Sequence, residues 1–559
     1  MALPVPAPVA PAGPGRPAEA RRNARVGWLP GGLPERTTPV RAGAVAVVLA
    51  GLVWSHFWRL GVAVPPDDEW DYTFAGWQYV HGIFTRNQEH PPLAKYLFGI
   101  AQLVFGQGNP SSRLIAAGFG VLTGVFMMLL AREIAGFWAA IIAGALWWLL
   151  PLPYGLTAEV AQPRLDRFGM LDGVMAALAM AALYAGWRWV RSGGWRIAIC
   201  TGVLVGLAAA AKVPGVATLP VIVGAGLLRL QRRTGQDEAG GSTPAASSPG
   251  ASSPGARSPR ARLGQGAALA GTAAATFLAT YLPFGLHGAI AALRYMVHYQ
   301  TQHADAGHLI YVQGHVYHHA PWWTVLAYQW VDNGPWVSIA MPLACVAAVV
   351  LRRNLAVVYV SVAGALCAMV LGLDGVVLPQ YAYDWLPQEL TVAAVGLVAL
   401  AGAGRSGWRT PAGWAAVAAR SLAVVLLAIL VAAGVAWQGR LAVLRPANYA
   451  LLPTVVRGPA PIVVAFASVQ AIGYYMPDAT LIYIKPDRTM PARTLHIFDY
   501  GAVAAVVMDP AETLRNPTVE RILQRAAANH GMHETRVGYL RVWLPADRAG
   551  PATSEAYPK

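Results

Sequence analysis

PPDDEWDYTFAGWQYVHGIFTRNQEHPPLAKYL, residues 65–97, decides how the chain is read. It follows directly on an apolar run from about Ala44 to Val64, long enough to cross a bilayer. Asp67, Asp68 and Glu69 stand together at the mouth of that run, with Asp71 and Tyr72 just beyond. A carboxylate within a membrane helix costs several kcal/mol, so the cluster belongs at the interface or in a watery cavity. Packing does not call for adjacent acids there, and a membrane-edge acid points to function. A solvated loop that simply ends a helix is the plainer reading of the same residues.

Working outward, the composition is that of a polytopic membrane protein. Of 559 residues, 56% are hydrophobic and 12% charged, about half the charged fraction of a soluble protein. The formal charge of +15 is spread over short loops between apolar runs, the pattern of topology signals and anionic-lipid contact rather than of nucleic-acid binding. Cys200, Cys345 and Cys367 all fall inside apolar runs, so neither a disulfide framework nor a CxxC metal site is visible.

Residues 1–42, rich in Pro, Ala and Arg, read as a disordered cytoplasmic tail. Further spans are expected near 113–131, 136–153, 171–188, 197–211, 214–229, 265–285, 336–351, 355–373, 388–403 and 421–437, about eleven with the first. One topology puts Arg132, Arg188, Arg191, Arg232, Arg352, Arg409 and Arg420 on the cytoplasmic side. Residues 230–264, with their repeated Ser-Ser-Pro-Gly-Ala, read as a flexible cytoplasmic linker. On the opposite face lie the first outward loop (65–112), TAEVAQPRLDRFGMLD (157–172), a loop from about 287 to 335, and LPQYAYDWLPQE (378–389). Residues 439–559 form a small α/β domain on that face: PIVVAFAS, ATLIYIKP and GAVAAVVMDP read as strands, TVERILQRAAANH as a helix and RVGYLRVWLP as a last strand.

Chemistry gathers on the outward side. Asp68 and Tyr72 share a face if the segment is helical, and Asp68 is placed to act as a general base. His90-Pro91-Pro92-Leu93-Ala94-Lys95 is a rigid turn ending in a cation that can hold a phosphate or snorkel to headgroups. Arg164 and Arg167 stand against the positive-inside bias, which calls for a local anionic partner. Asp172 opens the next span and is expected to pair with Arg167 or with Lys212. The 287–335 loop carries His298, His303, His308, His315, His318 and His319; it has no HExxH spacing, which leaves a divalent metal open, and His308 and Tyr311 are expected to line an opening for substrate.

With these residues assembled, the chain resembles bacterial members of the dolichyl-phosphate-mannose protein mannosyltransferase family (glycosyltransferase family 39) and the related aminoarabinose transferases that modify lipid A. The matching pieces are Asp68-Glu69 followed by Tyr72, HPPLAK at 90–95, RFGMLDGVMAALAMAALY, the GLAAAAK that ends at Lys212, and the stretch from Gly307-His308 to Trp322-Trp323. The resemblance implies a GT-C fold, an α-helical polytopic membrane protein with an outward active site, and a polyprenyl-phosphate-linked sugar transferred with inversion. Carried over, Asp68 is the base and Glu69 supports it or positions the acceptor, while Asp172 matches the acid that opens the helix after the second outward loop. Lys95, Arg167, Arg164 and Lys212 form the basic set for the donor phosphate, with Asp67, Tyr72 and His90 lining the substrate. Asp67 makes the acid motif a triple, so the base's register is open by one residue. No cofactor is implied for certain, and the acceptor hydroxyl belongs to a glycan, a lipid or a protein. The implied location is the bacterial inner membrane, with the N-terminus cytoplasmic and the C-terminal domain outside. A transporter or flippase of a lipid-linked or anionic solute is the second reading; against it, the charges collect at one membrane face and no repeat relates the halves.

Overall fold

The computed structural model describes residues 38–63, 67–150, 164–239, 259–307, 310–312, 315–373, 375–402, 411–442, 448–484, 498, 503–510 and 516–546. Residues 48–559 make one compact unit; of residues 1–47, the described part is the opening of the first helix.

The apolar runs become helices because an α-helix is the one open-chain form that satisfies its own backbone in lipid. In order these are α1 (Pro39–Phe57), α2 (Asp67–Val80), α3 (Leu93–Phe105), α4 (Asn109–Ala135), α5 (Phe137–Leu149), α6 (Leu171–Ser192), α7 (Trp195–Ala211) and α8 (Thr218–Ala239). There follow α9 (Pro259–Ala279), α10 (Gly285–Ala306), α11 (Thr324–Asn333), α12 (Pro335–Arg352), α13 (Leu355–Gly372), α14 (Leu386–Ala401) and α15 (Pro411–Ala442).

Each expected span falls on a helix, but not all are long enough to cross alone. Among the described residues, six helices pass on length and apolarity: α1, α4, α6, α12, α13 and most of α15. A seventh span would be the pair Arg260–Ala279 and Leu282–Ala306, bent by 40°. The remaining apolar helices, including α5, α7 and α14, have 10–17 residues, so at about 1.5 Å per residue they fall short of a ~30 Å hydrocarbon core unless the bilayer thins around them. The bundle core is continuous, with Leu52, Met127, Trp147, Met180, Tyr359 and Leu390 fully or almost fully buried.

Three expectations need correction. The 287–335 loop is largely ordered: α10 runs on to Ala306, a hairpin β1 (Ile310–Val312) and β2 (His315–Tyr317) follows, and then α11. Its first part is rich in Ala and Leu, good helix formers, and Gly307 at φ +70° ends the helix. The 230–264 linker is shorter than expected, because α8 continues to Ala239 and α9 begins at Pro259; the stretch between, like most of the 1–42 tail, lies outside the described residues.

The third concerns the C-terminal domain. Its five-stranded sheet has the order β4-β3-β5-β7-β6, from β3 (Ile462–Phe466), β4 (Thr480–Tyr483), β5 (Val503–Met508), β6 (Met532–Val537) and β7 (Leu540–Pro545). The first three strands are parallel and β7 and β6 close the sheet antiparallel. RVGYLRVWLP is therefore the turn and second arm of a hairpin, bent at Gly538 with φ +62°. Alternation along the strands sends Val463, Ala465, Val507 and Val542 to one core, over Leu452 and Ile472. Val464, Phe466, Val506 and Met508 face the other, under Leu523 and Ala527 of the helix Pro517–Asn529. The short helix Val469–Tyr475, capped by Ser468, packs against α2 and so joins this domain to the acidic motif.

Candidate active site

α2 begins at the acidic triplet, and α3 lies against it at close range. A Cβ on Gly99 would stand 2.2 Å from the carbonyl oxygen of Gly76, and one on Gly76 would stand 2.6 Å from that of Lys95. Only paired glycines let the two backbones meet this way, which fixes Lys95 beside α2.

The acids of α2 have different fates. Glu69 is fully buried; Arg113 at the start of α4 donates to it twice, Nε to Oε1 and Nη2 to Oε2, both at 2.7 Å, and the Gly169 amide adds a third bond at 2.8 Å. Arg113 also donates to the carbonyls of Leu60 and Ala63, at 3.1 and 2.9 Å. Asp71 pairs with Arg86. Asp68 is partly exposed and accepts from Gln380 Nε2 at 3.3 Å. The side chain of Asp67 lies outside the described residues. Tyr72, four residues from Asp68, is buried with its ring edge-on to His90, centroids 5.6 Å apart. Burial, together with Lys95, Lys212 and His303, holds the His90 imidazole well below its ordinary range.

The cations are mostly engaged by the protein itself. Lys95 is fully buried, and its ammonium donates to the carbonyls of Asn87 and His90 and to Asn87 Oδ1. The loop carrying those acceptors turns at Asn87, φ +52°. Burial lowers Lys95 to about 7, with the charge of Glu89 opposing.

Arg164 and Arg167, expected at the donor phosphate, have other partners. Arg164 donates Nε and Nη2 to Asp166 at 2.9 and 2.7 Å, binds the Trp147 carbonyl, and lies 4.9 Å from the Trp147 ring centre. His56 and Tyr383 complete the same carboxylate, each at 3.0 Å from Asp166 Oδ2. Burial works against the ionised form of Asp166, but Arg164 and His56 outweigh it and hold the carboxyl far below the usual range. Arg167 donates to the carbonyls of Ser55 and Trp58, satisfying the C-terminal end of α1 where orphan carbonyls and the helix dipole favour a cation.

Asp172 pairs with Lys212 rather than Arg167, at 2.5 Å. Lys212 also reaches Asp384 Oδ2 at 3.2 Å and lies 4.5 Å from the Tyr381 ring centre. Two buried carboxyls thus share one ammonium. Asp384 is pushed well above the ordinary carboxylate range by burial and by Asp172, against the pull of Lys212. Its Oδ1 has no partner among the described residues.

The structure therefore gathers Asp68, Tyr72, His90, Asp172 and Lys212 into one region, with Glu69 and Lys95 buried on the adjoining α2 and α3. His308 and the Tyr311 side chain lie outside the described residues, and among those described no group of three or more His, Cys, Asp or Glu is placed to hold a metal. Participants not singled out from sequence include His56, Arg113, Asp166, Gln380, Tyr381, Tyr383 and Asp384. Arg113 carried a signal, since in the topology expected from sequence it too stands against the positive-inside bias.

Residues 89–236 match the family model described as dolichyl-phosphate-mannose-protein mannosyltransferase. The match takes in HPPLAK, Arg164 to Asp172 and Lys212. The fold is similar to that of ArnT from Cupriavidus metallidurans bound to undecaprenyl phosphate, at 17% identity and a TM-score of 0.52, covering 91% of this chain and 99% of that one. The apo state of the same protein gives 17% and 0.53, covering 91% and 98%. The oligosaccharyltransferase AglB from Archaeoglobus fulgidus, in complex with an inhibitory peptide and a dolichol-phosphate, gives 13% and 0.47, covering 92% and 75%. No curated protein matches the chain in sequence. The expected GT-C architecture, related to that of ArnT, is the fold of this chain.

Proposed function

We propose that this protein is an integral-membrane inverting glycosyltransferase that moves a sugar from a polyprenyl phosphate to an acceptor hydroxyl. The observation that carries the reading is the division of labour between adjacent acids. Glu69 is locked by three hydrogen bonds, whereas Asp68 is partly exposed beside the Lys212 cluster. This favours Asp68 as the base. Its carboxylate takes the acceptor's hydroxyl proton as that oxygen attacks the anomeric carbon; the bond from the anomeric carbon to the phosphate oxygen breaks, and polyprenyl phosphate leaves. One displacement inverts the centre.

Charge accumulating on the departing phosphate calls for a nearby cation, a major part of catalysis; Lys212 supplies it by exchanging a bond with Asp172 or Asp384 for one with the phosphate. Arg164 and Arg167 take a supporting role here: they hold the carbonyls and carboxylate around which α1, α5 and α6 are assembled. The undecaprenyl phosphate bound by ArnT supports a prenyl-phosphate donor. Contact between the short helix Val469–Tyr475 and α2 supports a C-terminal domain, 439–559, on the same outward face as the acids. With the arginine-rich loops inside, that face is the extracytoplasmic side of a bacterial inner membrane.

The test uses purified protein in nanodiscs with a panel of radiolabelled polyprenyl-phosphate sugars and candidate acceptors. Release of polyprenyl phosphate by the wild type, abolished in Asp68→Asn, is the expected result. Failure to bind or consume any of the sugars overturns the reading and makes transport the leading one.

A further inference from the structure

The segment LPQYAYDWLPQE supplies none of the site residues expected from sequence, yet its 3-10 turn, Pro379–Asp384, touches Asp68, Lys212 and Asp166. Gln380 donates to Asp68 on α2. Tyr381 lies against the Lys212 ammonium at the end of α7, and Asp384 accepts from it. Tyr383 donates to Asp166, the carboxylate shared by Arg164 and His56. Four of the turn's six residues thus reach three separate charged centres. Gln380 is 5% exposed. A surface turn has no need to bury a primary amide, and burying one costs free energy unless it finds a partner. Here Nε2 finds the Asp68 carboxylate.

We propose that this turn sets the base in register with the donor-side charges, and that Gln380 is the positioning residue that orients the Asp68 carboxylate. The inference rests on the transferase reading above. By donating to Oδ2, the amide helps to fix the orientation of the Asp68 carboxylate. It also favours the ionised form that a base needs. The neighbouring acids of α2, Glu69 and Asp71, are tied to Arg113 and Arg86. Tyr299 of α10, which feels the Asp68 charge, interacts also with Glu89 and Tyr295.

The experiment compares wild type, Gln380→Leu and Gln380→Glu in nanodiscs, measuring kcat and donor KM across pH together with thermal stability. Gln380→Leu is expected to lower kcat about tenfold, the scale of one hydrogen bond to a charged group, with donor KM unchanged within about twofold. The acid limb of the pH profile is expected to move upward in Gln380→Leu and further in Gln380→Glu, where a second carboxylate faces the first. Wild-type kcat and an unmoved acid limb in Gln380→Leu overturn the proposal. So does a uniform loss at all pH values that tracks a lower melting temperature, which is the mark of a merely structural residue. Absence of Asp68-dependent release in the wild type instead removes the transferase reading, and this inference falls with it.

Discussion

Glu69 and Arg113 form a two-pronged ion pair buried between α2 and α4, with both N–O distances 2.7 Å. The pair takes Glu69 out of contention as a proton acceptor and makes it a strut. Removing one side leaves the other charge buried alone. Glu69→Ala is therefore expected to destabilise the protein by about 3–5 kcal/mol, measured as a lower melting temperature in nanodiscs. Unchanged stability would mean that the pair is not formed.

Asp68→Asn separates the neighbours. The substitution keeps shape and removes the charge at a partly exposed position, so the melting temperature should stay at the wild-type value. Transfer should fall by about 10²–10⁴-fold, the ordinary worth of a positioned base. Retained transfer would move the base elsewhere.

Lys95 makes stability depend on pH. In the unfolded chain a lysine keeps its proton to about 10.4, whereas burial brings Lys95 down to about 7 in the folded protein. Between those values the unfolded chain binds more protons, so stability rises with pH, at most by about 1.4 kcal/mol per unit for this one group. Melting curves of wild type and Lys95→Met across that window should differ in slope, the variant's being flatter. Parallel curves would show that Lys95 keeps its proton.

The triad of Lys212, Asp172 and Asp384 predicts a partial rescue. Lys212→Met strands two buried carboxyls and should cost about 3–5 kcal/mol. Adding Asp172→Asn and Asp384→Asn to it should recover much of that loss, because the buried charges go with the cation. A triple variant as unstable as the single one would show that the three side chains do not act together.

At the contact between α2 and α3 there is no room for a methyl group. Gly99→Ala puts Cβ against the Gly76 backbone, so the helices must separate by an amount the surrounding bundle resists. The expected result is a loss of transfer together with a lower melting temperature, since Asp68 and Lys95 sit on the two helices that part. Wild-type behaviour would show that the helices are less closely joined.

Helices were legible wherever the signal was local. Apolar runs of span length and the Asp68–Tyr72 spacing both express themselves within a few residues. The pairing of Asp172 with Lys212 was also open to view, because a carboxylate opening a span needs a cation and few were available. Gln380 and Asp384 were hidden for the opposite reason: their partners stand far away in sequence, and a glutamine in a polar loop carries no pattern. Arg164 and Arg167 have other partners because an arginine that departs from the expected charge bias calls for an anion or carbonyl without saying whose. The protein's own Asp166 and the end of α1 answered that need.

The buried ion pairs have a consequence for how the chain is made. Arg164 finds Asp166 two residues on, Lys212 finds Asp172 across 40 residues, and Arg113 finds Glu69 across 44. Each of these cations is thus matched by an acid synthesised shortly before or after it, so a growing chain can neutralise it soon after it appears. Asp384 arrives 172 residues after Lys212, when that lysine already has an acid of its own. The last acid enters a pair already balanced, at a buried position beside Asp172 that disfavours a further negative charge.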